Sequence, residues 1–490
     1  MPSGLLSTAI TAIVPAILAT VLATTFLPAC ASGALRLPPI HETRLPNGAV
    51  ILLVEKHDVP LIAFQALVRG GSLTDPAGKE GTAAIAAELL RKGAGKRDAG
   101  AIARYVDGVG GLLGGGAAYE AASISGEFPA PEAERMVALL GDLLRRPTFP
   151  DSEFVKLRDQ TAERIRSEKD NPWNVLQLYG RAYFLRGHPY GRPVDGDESS
   201  VARITREDVL AHYRSHYGGD RLILAVVGDF DRASMERRLR SALGDWPKAG
   251  APPAEVPAPA RASGRRVLLV DKPGATQSYF WIGNLGIGAR DPERDVVDVA
   301  NTAFGGRFTS LLNTELRVKS GLSYTARSTQ MRLTQPGPVA IVSFTKTEST
   351  ARAIDLAIAT LERFRAAGLD SATTASSKAY LSGLWPTHLE SGDEIAGSLA
   401  SLAYHGFPVT EVSEYGDRIQ AVGMEAVARA IRRVYPPGED LTLVLIGDAG
   451  KLRKVAKKYG PVTEIRMEQP VLEAVGQGAG APARGASTAR

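Results

Sequence analysis

The sequence predicts an α+β fold of two homologous domains, each a mainly antiparallel β-sheet with helices packed on one face. Two observations lead to this prediction. Strand-like and helix-like segments do not alternate strictly, and short motifs recur in the same order at a nearly constant offset. The motif pairs are Val54-Glu55-Lys56 with Val270-Asp271-Lys272, Asp75-Pro76 with Asp291-Pro292, Asp151-Ser152 with Asp370-Ser371, Gly187-x-Pro189 with Gly406-x-Pro408, and Gly228-Asp229 with Gly447-Asp448. The chain therefore contains two copies of a domain of roughly 200 residues.

The predicted elements follow the same course in both copies. Apolar runs with β-branched residues predict strands, and long amphipathic patterns predict helices. The first predicted helix has Thr82 as its N-cap and ends before Gly93. The predicted elements are strands 50–55, 61–69 and 222–227 with helices 81–92 and 151–169 in the first copy, and strands 267–271, 277–285 and 441–446 with helix 351–367 in the second.

Composition sets the domain boundaries. We expect domains at 37–247 and 265–468, joined by a Pro/Ala-rich, semi-extended linker at 248–264. The Gly/Ala-rich tail, 469–490, is expected to be disordered. The net charge is only +5, and no basic run is interleaved with aromatic residues, so we expect no nucleic-acid partner.

The first 30 residues predict an export signal. No charged side chain occurs among the first 29, and the segment ends in Leu27-Pro28-Ala29-Cys30. This ending resembles the processing site of bacterial lipoproteins, in which Cys30 would be lipidated. Ordinary signal-peptidase cleavage and an uncleaved membrane anchor are the alternatives. We expect a protein of the periplasm or cell envelope that contacts a membrane only through a lipid anchor. Because Cys30 is the only cysteine, an intramolecular disulfide is excluded.

Four further motifs carry a resemblance to a known family. They are Arg44-Leu-Pro-Asn-Gly48, Gly71-Ser72-x-x-Asp75-Pro76, Gly187-His188-Pro189-Tyr190-Gly191 and Gly321-Leu322-Ser323-Tyr324. Over about 37–468 the chain resembles the pitrilysin/insulinase family of zinc metallopeptidases in its bacterial two-domain form. The resemblance implies two halves arranged as a clam shell, around a chamber that admits peptides or unfolded polypeptides.

The zinc-binding motif of the resembled family is missing from this chain. That motif, H-x-x-E-H, places two histidines on one helix face to hold zinc and a glutamate to activate water. The corresponding positions here are Ala84, Ala87 and Glu88, and the position of the third ligand is Arg164. Because a methyl group has no lone pair, the resemblance implies no catalytic residues and no bound metal in this chain, with zinc in a partner.

Two other arrangements of charged or metal-competent residues occur in the first copy. Glu88 and Arg164 are hypothesised to form an ion pair where the metal would lie, since pairing makes burial of a charge tolerable; the alternative is that both face solvent. His212 and His216 have metal-competent i, i+4 spacing. However, two ligands do not make a site and no glutamate lies between them, so a structural helix end is favoured.

The second copy keeps two residues that the family uses on substrate. Arg317 and Tyr324 match an arginine and a tyrosine that, in active members, reach into the first domain, hold the substrate backbone and stabilise the oxyanion. Both can donate hydrogen bonds, which suits that role. The alternative is a surface arginine and a packed tyrosine.

Three functions follow from this asymmetry. The favoured one is a non-catalytic subunit of an exported zinc metallopeptidase heterodimer, which contributes Arg317 and Tyr324 to peptide hydrolysis by a zinc-bearing family member. A partnerless pseudopeptidase that binds peptides or acts as a scaffold of the cell envelope is the first alternative. A self-sufficient metalloendopeptidase is the second.

Overall fold

The computed structural model describes residues 37–252 and 254–477. The first half (37–247) forms strands β1 (Ile40–Arg44), β2 (Val50–Glu55), β3 (Leu61–Arg69), β4 (Gly93–Ala94), β5 (Arg97–Asp98), β6 (Leu112–Ala117), β7 (Ala121–Pro129) and β8 (Leu222–Gly228). Its helices are α1 (Thr82–Leu89), α2 (Ala99–Asp107), α3 (Ala133–Arg145), α4 (Asp151–Glu168), α5 (Pro172–Phe184), α6 (Glu198–Ala202), α7 (Arg206–His216) and α8 (Arg232–Leu243).

The second half (265–477) repeats this plan. Its strands are β9 (Arg266–Asp271), β10 (Gln277–Leu285), β11 (Ala326–Arg332), β12 (Pro336–Lys346), β13 (Thr442–Gly447) and β14 (Val462–Arg466). Its helices are α9 (Arg294–Asn301), α10 (Leu311–Asn313), α11 (Thr350–Ala367), α12 (Ser371–Leu384), α13 (Gly392–His405), α14 (Glu411–Ala421), α15 (Met424–Val434), α16 (Ala449–Lys457) and α17 (Val471–Gln477).

The two main sheets share one topology. The first has the order β1-β2-β8-β3-β7-β6, and the second, taken from its far edge, has the order β14-β9-β13-β10-β12-β11. The pairs β2/β8, β9/β13 and β9/β14 are parallel, whereas the other neighbours are antiparallel. Five strands thus recur in the same order, and only the edge strands β1 and β14 differ. The predicted duplication and the mainly antiparallel α+β fold are confirmed.

Each sheet is covered on both faces, and one covering helix comes from the opposite half. Alternate residues of β9, β10 and β13 point to opposite faces, as the pleat of a strand requires. On one face of the second sheet, Trp281 and Val444 pack in the same cluster as Leu176 and Tyr179 of α5, a first-half helix. In return, α13 of the second half lies against β3 and β8, where Gly392 approaches Ala63 and Val227. A second helical layer is therefore added to the one predicted from the sequence.

The first helix starts one residue earlier than the predicted cap at Thr82 implies. Gly81, in a left-handed conformation with φ of 103°, is the N-cap, and Thr82 is the first helical residue rather than the cap. The carboxylate of Asp75 accepts hydrogen bonds from the backbone N–H of Gly81 (2.8 Å) and of Ala83 (2.7 Å), which satisfies donors at this helix end. The α-helix ends at Leu89, and a 3₁₀ turn continues it to Lys92.

The C-terminal tail is partly helical, whereas the linker is irregular. The expected disorder of the tail is wrong for residues 471–477, because α17 forms there and buries Val471, Ala474 and Val475. Residues 478–490, the export signal and Cys30 lie outside the described residues. Residues 248–252 and 254–264 contain neither helix nor strand. Across 37–252 and 254–477, no helix has the length and apolarity that crossing a membrane requires.

Candidate functional site

Helix α1 carries Ala84, Ala87 and Glu88, which the family resemblance aligns with the zinc motif, and is buried on nearly all sides. Ala84 is 8% exposed and Ala87 is fully buried, whereas Glu88 keeps part of its surface. The helix lies against α4, α7 and β6. Alanine at these positions provides small apolar packing and no metal ligand.

The ion pair hypothesised between Glu88 and Arg164 is wrong. Glu88 instead pairs with Arg91, three residues further along the chain on the 3₁₀ turn that continues α1. The guanidinium of Arg164 lies 2.9 Å from Glu168 and 3.2 Å from Asp195. Both charges remain partly exposed, with 35% of the Glu88 side chain and 45% of the Arg164 side chain accessible. Each charge therefore has a local partner, at i+3 or i+4, and neither needs the other.

These residues do not fit a zinc ion. Ala84 and Ala87 offer only methyl groups, and Arg164 is a cation. The Glu88 carboxylate is already paired with Arg91. None of these residues supplies the imidazole ligands that zinc usually has. Over the described ranges, no group of three or more His, Cys, Asp and Glu residues is arranged to hold a metal. That this chain binds no zinc stays a prediction for metal analysis.

Of the two histidines of α7, His212 is buried and His216 is half-buried. His212 is 5% exposed, and neither of its ring nitrogens has a hydrogen-bond partner in the part of the chain described. Burial and then the charge of His216 lower the pKa of His212 to about 3, so its ring is neutral at physiological pH. The two rings lie 4.9 Å apart between centroids. This arrangement agrees with the structural interpretation.

Arg317 and Tyr324 line one cavity of about 580 Å³, formed mostly by residues of the second half. The guanidinium of Arg317 lies between two aromatic rings, 4.5 Å from the centroid of Tyr324 and 4.8 Å from that of Phe308. Tyr324 is 71% exposed, so it stands at the surface rather than in the core. The predicted pair is thus brought together in the structure, with both donors accessible.

Local structure explains this placement. Arg317 lies on a π-helical turn, Thr314–Lys319, and a second π-helical turn, Thr302–Gly306, precedes it. Such turns are rare and occur often at functional sites. Gly321 then adopts a left-handed conformation (φ of 61°), and Leu322 and Ser323 both donate backbone hydrogen bonds to the carbonyl of Leu316. The chain therefore doubles back and places Tyr324 over Arg317.

Several residues that line the cavity were not predicted from the sequence. Arg327, at the start of β11, and Trp173, from α5 of the first half, both line the cavity. No sequence signal points to Trp173, because the contribution of the first half depends on how the halves pack. Arg307 follows Phe304-Gly305-Gly306, a Gly-Gly segment that indicates a turn but gives its arginine no role; in the structure Gly305 packs closely against the backbone of Ser328. The aromatic lining consists of Trp173, Tyr279, Phe308, Tyr324, Phe344 and Tyr380.

Two models of one protein family match this sequence. The family model described as insulinase (peptidase family M16) matches residues 50–198, and the one described as peptidase M16 inactive domain matches 203–381. The chain belongs to the insulinase family, M16. The matched regions meet near the end of α6, so they cover most of the first half and the cavity-bearing part of the second.

Proteins of similar sequence include zinc proteases and a subunit of a mitochondrial complex. Uncharacterized zinc proteases of Streptomyces coelicolor and Mycobacterium leprae are each 28% identical, over 299 and 292 residues; the match covers 59% of this chain in both cases. It spans 64% and 65% of their own lengths, less than two thirds. Subunit 1 of the human mitochondrial cytochrome b-c1 complex is 24% identical over 56% of this chain and 57% of its own.

A solved M16 structure shows the same fold. The crystal structure of a peptidase M16 inactive domain from Pseudomonas fluorescens superposes with a TM-score of 0.78 and 24% identity, covering 84% of this chain and 98% of that one. At this identity the likeness shows the fold alone.

One M16 motif, Gly187–Gly191, connects the two halves. The hydroxyl of Tyr190 donates to the carboxylate of Glu120 (2.6 Å) and accepts from the backbone N–H of Gln335 (3.2 Å) in the second half. The same carboxylate accepts from the N–H of Thr334 (3.1 Å). Glu120 is 9% exposed. The motif therefore has a structural role here, and its hydrogen bonds satisfy a buried charge at the contact between the halves.

Proposed function

We propose that this chain is the non-catalytic subunit of an exported zinc metallopeptidase heterodimer. In this proposal a zinc-bearing M16 protein supplies the metal, and Arg317 and Tyr324 of this chain hold the peptide. The observation that carries the proposal is an asymmetry. The zinc positions hold Ala84, Ala87, Glu88 and Arg164, whereas the Arg317–Tyr324 pair is accessible at a cavity.

The chemistry of the pair supports a role on substrate. A guanidinium and a phenol are both hydrogen-bond donors, and fixed donors stabilise the negative charge that develops on a peptide carbonyl during hydrolysis. Stacking between Phe308 and Tyr324 limits the motion of the Arg317 head group, which reduces the entropy lost on binding. A surface arginine without such a role has no need of this support.

The neighbouring strand favours an extended peptide as substrate. Strand β11 is at the edge of its sheet, and its first residues, Ala326 and Arg327, line the cavity. An edge strand offers unpaired backbone groups to an added strand, and this binding tolerates many sequences. Peptides or unfolded polypeptides are therefore the proposed substrates. One relative is named as a subunit of a complex, which favours a partner for this chain too.

The test uses the mature chain alone and together with a zinc-bearing M16 protein encoded nearby. Bound zinc and cleavage of a quenched peptide are measured for each protein and for the mixture. We expect cleavage only by the mixture, with all zinc in the partner. In the mixture, Arg317→Ala and Tyr324→Phe should each lower kcat/KM by about 10- to 1,000-fold. Fractionation should place the chain in the cell envelope, and Cys30→Ser should release it from the membrane.

Two control variants separate the proposed role from general damage. Arg352→Ala removes an exposed arginine outside the cavity, and Tyr105→Phe removes a hydroxyl of the first half; both should leave cleavage unchanged. Cleavage by the chain alone would refute the proposal. Full activity of the mixture with both Arg317→Ala and Tyr324→Phe would remove its mechanism. Absence of cleavage with any M16 partner would favour the partnerless scaffold.

A further inference from the structure

The cavity that holds Arg317 and Tyr324 carries charge of one sign only. Its lining includes three arginines, Arg307, Arg317 and Arg327, and contains no Asp, Glu, Lys or His. The other lining residues are aromatic, small or neutral polar. A concave site with guanidinium groups and no carboxylate has a positive potential, which concentrates anions.

These three arginines differ from others in the same half. Arg332 pairs with Asp298, Arg418 with Asp295, and Arg433 with Asp291, each at 2.6–2.8 Å. Among residues 37–252 and 254–477, the structure gives none of the three cavity arginines a carboxylate within 4.0 Å. Their charges are therefore available to a ligand.

Two of the three guanidinium groups are also held in position. One terminal nitrogen of Arg307 donates to the carbonyl (3.1 Å) and the hydroxyl (2.9 Å) of Ser376, while its Nε is buried without a partner in the described structure. The rings of Phe308 and Tyr324 pack against the Arg317 guanidinium, with their centroids 4.8 and 4.5 Å from its central carbon. A fixed guanidinium binds a carboxylate more strongly than a mobile one, because less side-chain freedom is lost.

An apolar wall stands beside these charges. Phe344 packs edge-on to Trp173 (5.4 Å between ring centroids) and stacks with Tyr279 (5.5 Å). Trp173 comes from the first half, so this wall depends on both halves. The volume of about 580 Å³ is in the range of sites for a few side chains.

We propose that the cavity binds a peptide carboxylate beside an aromatic or large apolar side chain. Arg307, Arg317 and Arg327 hold the carboxylate, and Trp173, Tyr279 and Phe344 contact the apolar group. An acidic side chain or the C-terminal carboxylate of the peptide can supply this chemistry. A preference of the heterodimer for cleaving acidic peptides would rest on the proposed function. The preference of this chain for binding acidic peptides does not require the partner.

The test is calorimetric binding of unlabelled peptides to the full mature chain. Four peptides share one neutral sequence around a central Xaa-Phe. Three are acetylated and amidated with Xaa as Glu, Gln or Lys, and the fourth has Gln with a free C-terminus. At low salt we expect the Glu peptide to bind about tenfold more tightly than the Gln peptide, and the Lys peptide to bind most weakly. Raising the salt concentration should narrow these differences.

Substitution of the cavity arginines tests whether they cause the preference for the Glu peptide. Arg307→Gln, Arg317→Gln and Arg327→Gln should each bring the Glu/Gln affinity ratio toward one, whereas Arg352→Gln should leave it unchanged. Preference for the free C-terminus over the Glu side chain would assign the C-terminal source. Equal affinity for the Glu, Gln and Lys peptides, together with no effect of the free C-terminus, would overturn the proposal, as would no binding of any peptide.

The binding experiment and the cleavage experiment can fail independently of each other. If the chain prefers acidic peptides but no M16 partner gives cleavage, the binding site stands and the heterodimer fails. If the mixture cleaves in an Arg317-dependent way without any charge preference in binding, the heterodimer stands and this inference fails.

Discussion

Asp75 stabilises the start of α1 through its carboxylate. The side chain is 5% exposed and accepts hydrogen bonds from two backbone N–H groups at the helix N-terminus. Its counterpart in the second half, Asp291, is bound instead by both terminal nitrogens of Arg433, at 2.7 and 2.8 Å. Burial alone would raise the pKa of Asp291, but Arg433 holds it below the usual value. The same motif position therefore has a different electrostatic environment in each half.

The environment of Asp75 predicts a pH-dependent contribution to stability. Burial raises its pKa to about 7, although the N–H groups of Gly81 and Ala83 oppose the shift. A carboxyl whose folded pKa lies above its unfolded pKa stabilises the protein below about pH 4 and loses that contribution as the pH rises to about 7. We expect the free energy of unfolding of the wild type, minus that of Asp75→Asn, to fall across this window. The steepest slope is at most about 1.4 kcal/mol per pH unit.

Urea unfolding of both proteins at several pH values measures this difference. The subtraction matters because His212, whose pKa burial lowers to about 3, makes the stability of the wild type rise with pH over part of the same range. That contribution is common to both proteins and cancels. A difference that stays constant or increases between pH 4 and 7 would contradict the assignment.

At the scale of elements, the exchange of helices between the halves requires close backbone contact. Gly180 lies on α5, opposite the indole of Trp281 on β10, and a Cβ at this position would lie 2.7 Å from the ring atoms. Trp281 is 1% exposed and cannot move into solvent without opening the core. Glycine therefore lets α5 approach the sheet of the other half.

Gly180→Ala should be destabilising despite the higher helix propensity of alanine. Overpacking of this kind costs about 1–3 kcal/mol. The matched control is Gly383→Ala on α12, where nothing lies within 4 Å of the new Cβ; it should be neutral or stabilising by up to about 1 kcal/mol. Chemical denaturation of the two variants beside the wild type measures both effects. Equal stability of the two variants would show that α5 does not contact Trp281 as closely as described.

The three strands at the centre of each main sheet, β2, β8 and β3 in the first and β9, β13 and β10 in the second, could be predicted from the sequence. The other strands and the contacts between distant elements could not. Strands 50–55, 61–69 and 277–285 were predicted with the bounds that the structure gives, because each is rich in β-branched, aromatic or other apolar residues. The pairing of Glu88 was predicted incorrectly, since the nearer Arg91 lies on the same helix face. Gathering Arg307, Arg317 and Arg327 at one cavity depends on two π-helical turns and on tertiary packing, which have no periodic signal.

At the scale of the whole molecule, the halves are joined by apolar and polar contacts as well as by the linker. Each sheet has one face covered by a helix of the other half. Around Glu120, Tyr190 and Thr334 connect the halves, and the hydroxyl of Tyr404, on α13, donates to the Glu120 carbonyl at 3.0 Å. Neither half can therefore bury both faces of its sheet alone.

The halves should accordingly remain together when the linker is cut. Residues 257–260 contain neither helix nor strand, and Ala258 is exposed, so a protease recognition sequence inserted after Ala258 should be accessible in the native protein. After cleavage we expect both fragments to elute from a sizing column as one species of the uncut size and to unfold in a single thermal transition. Because unfolding then separates two molecules, Tm should rise with protein concentration, which it does not in the uncut chain. Elution in denaturant is the control for complete cleavage. Fragments that separate under native conditions, or two independent transitions, would mean that only the covalent linker holds the halves together, and the shared cavity wall formed by Trp173 would then be lost as well.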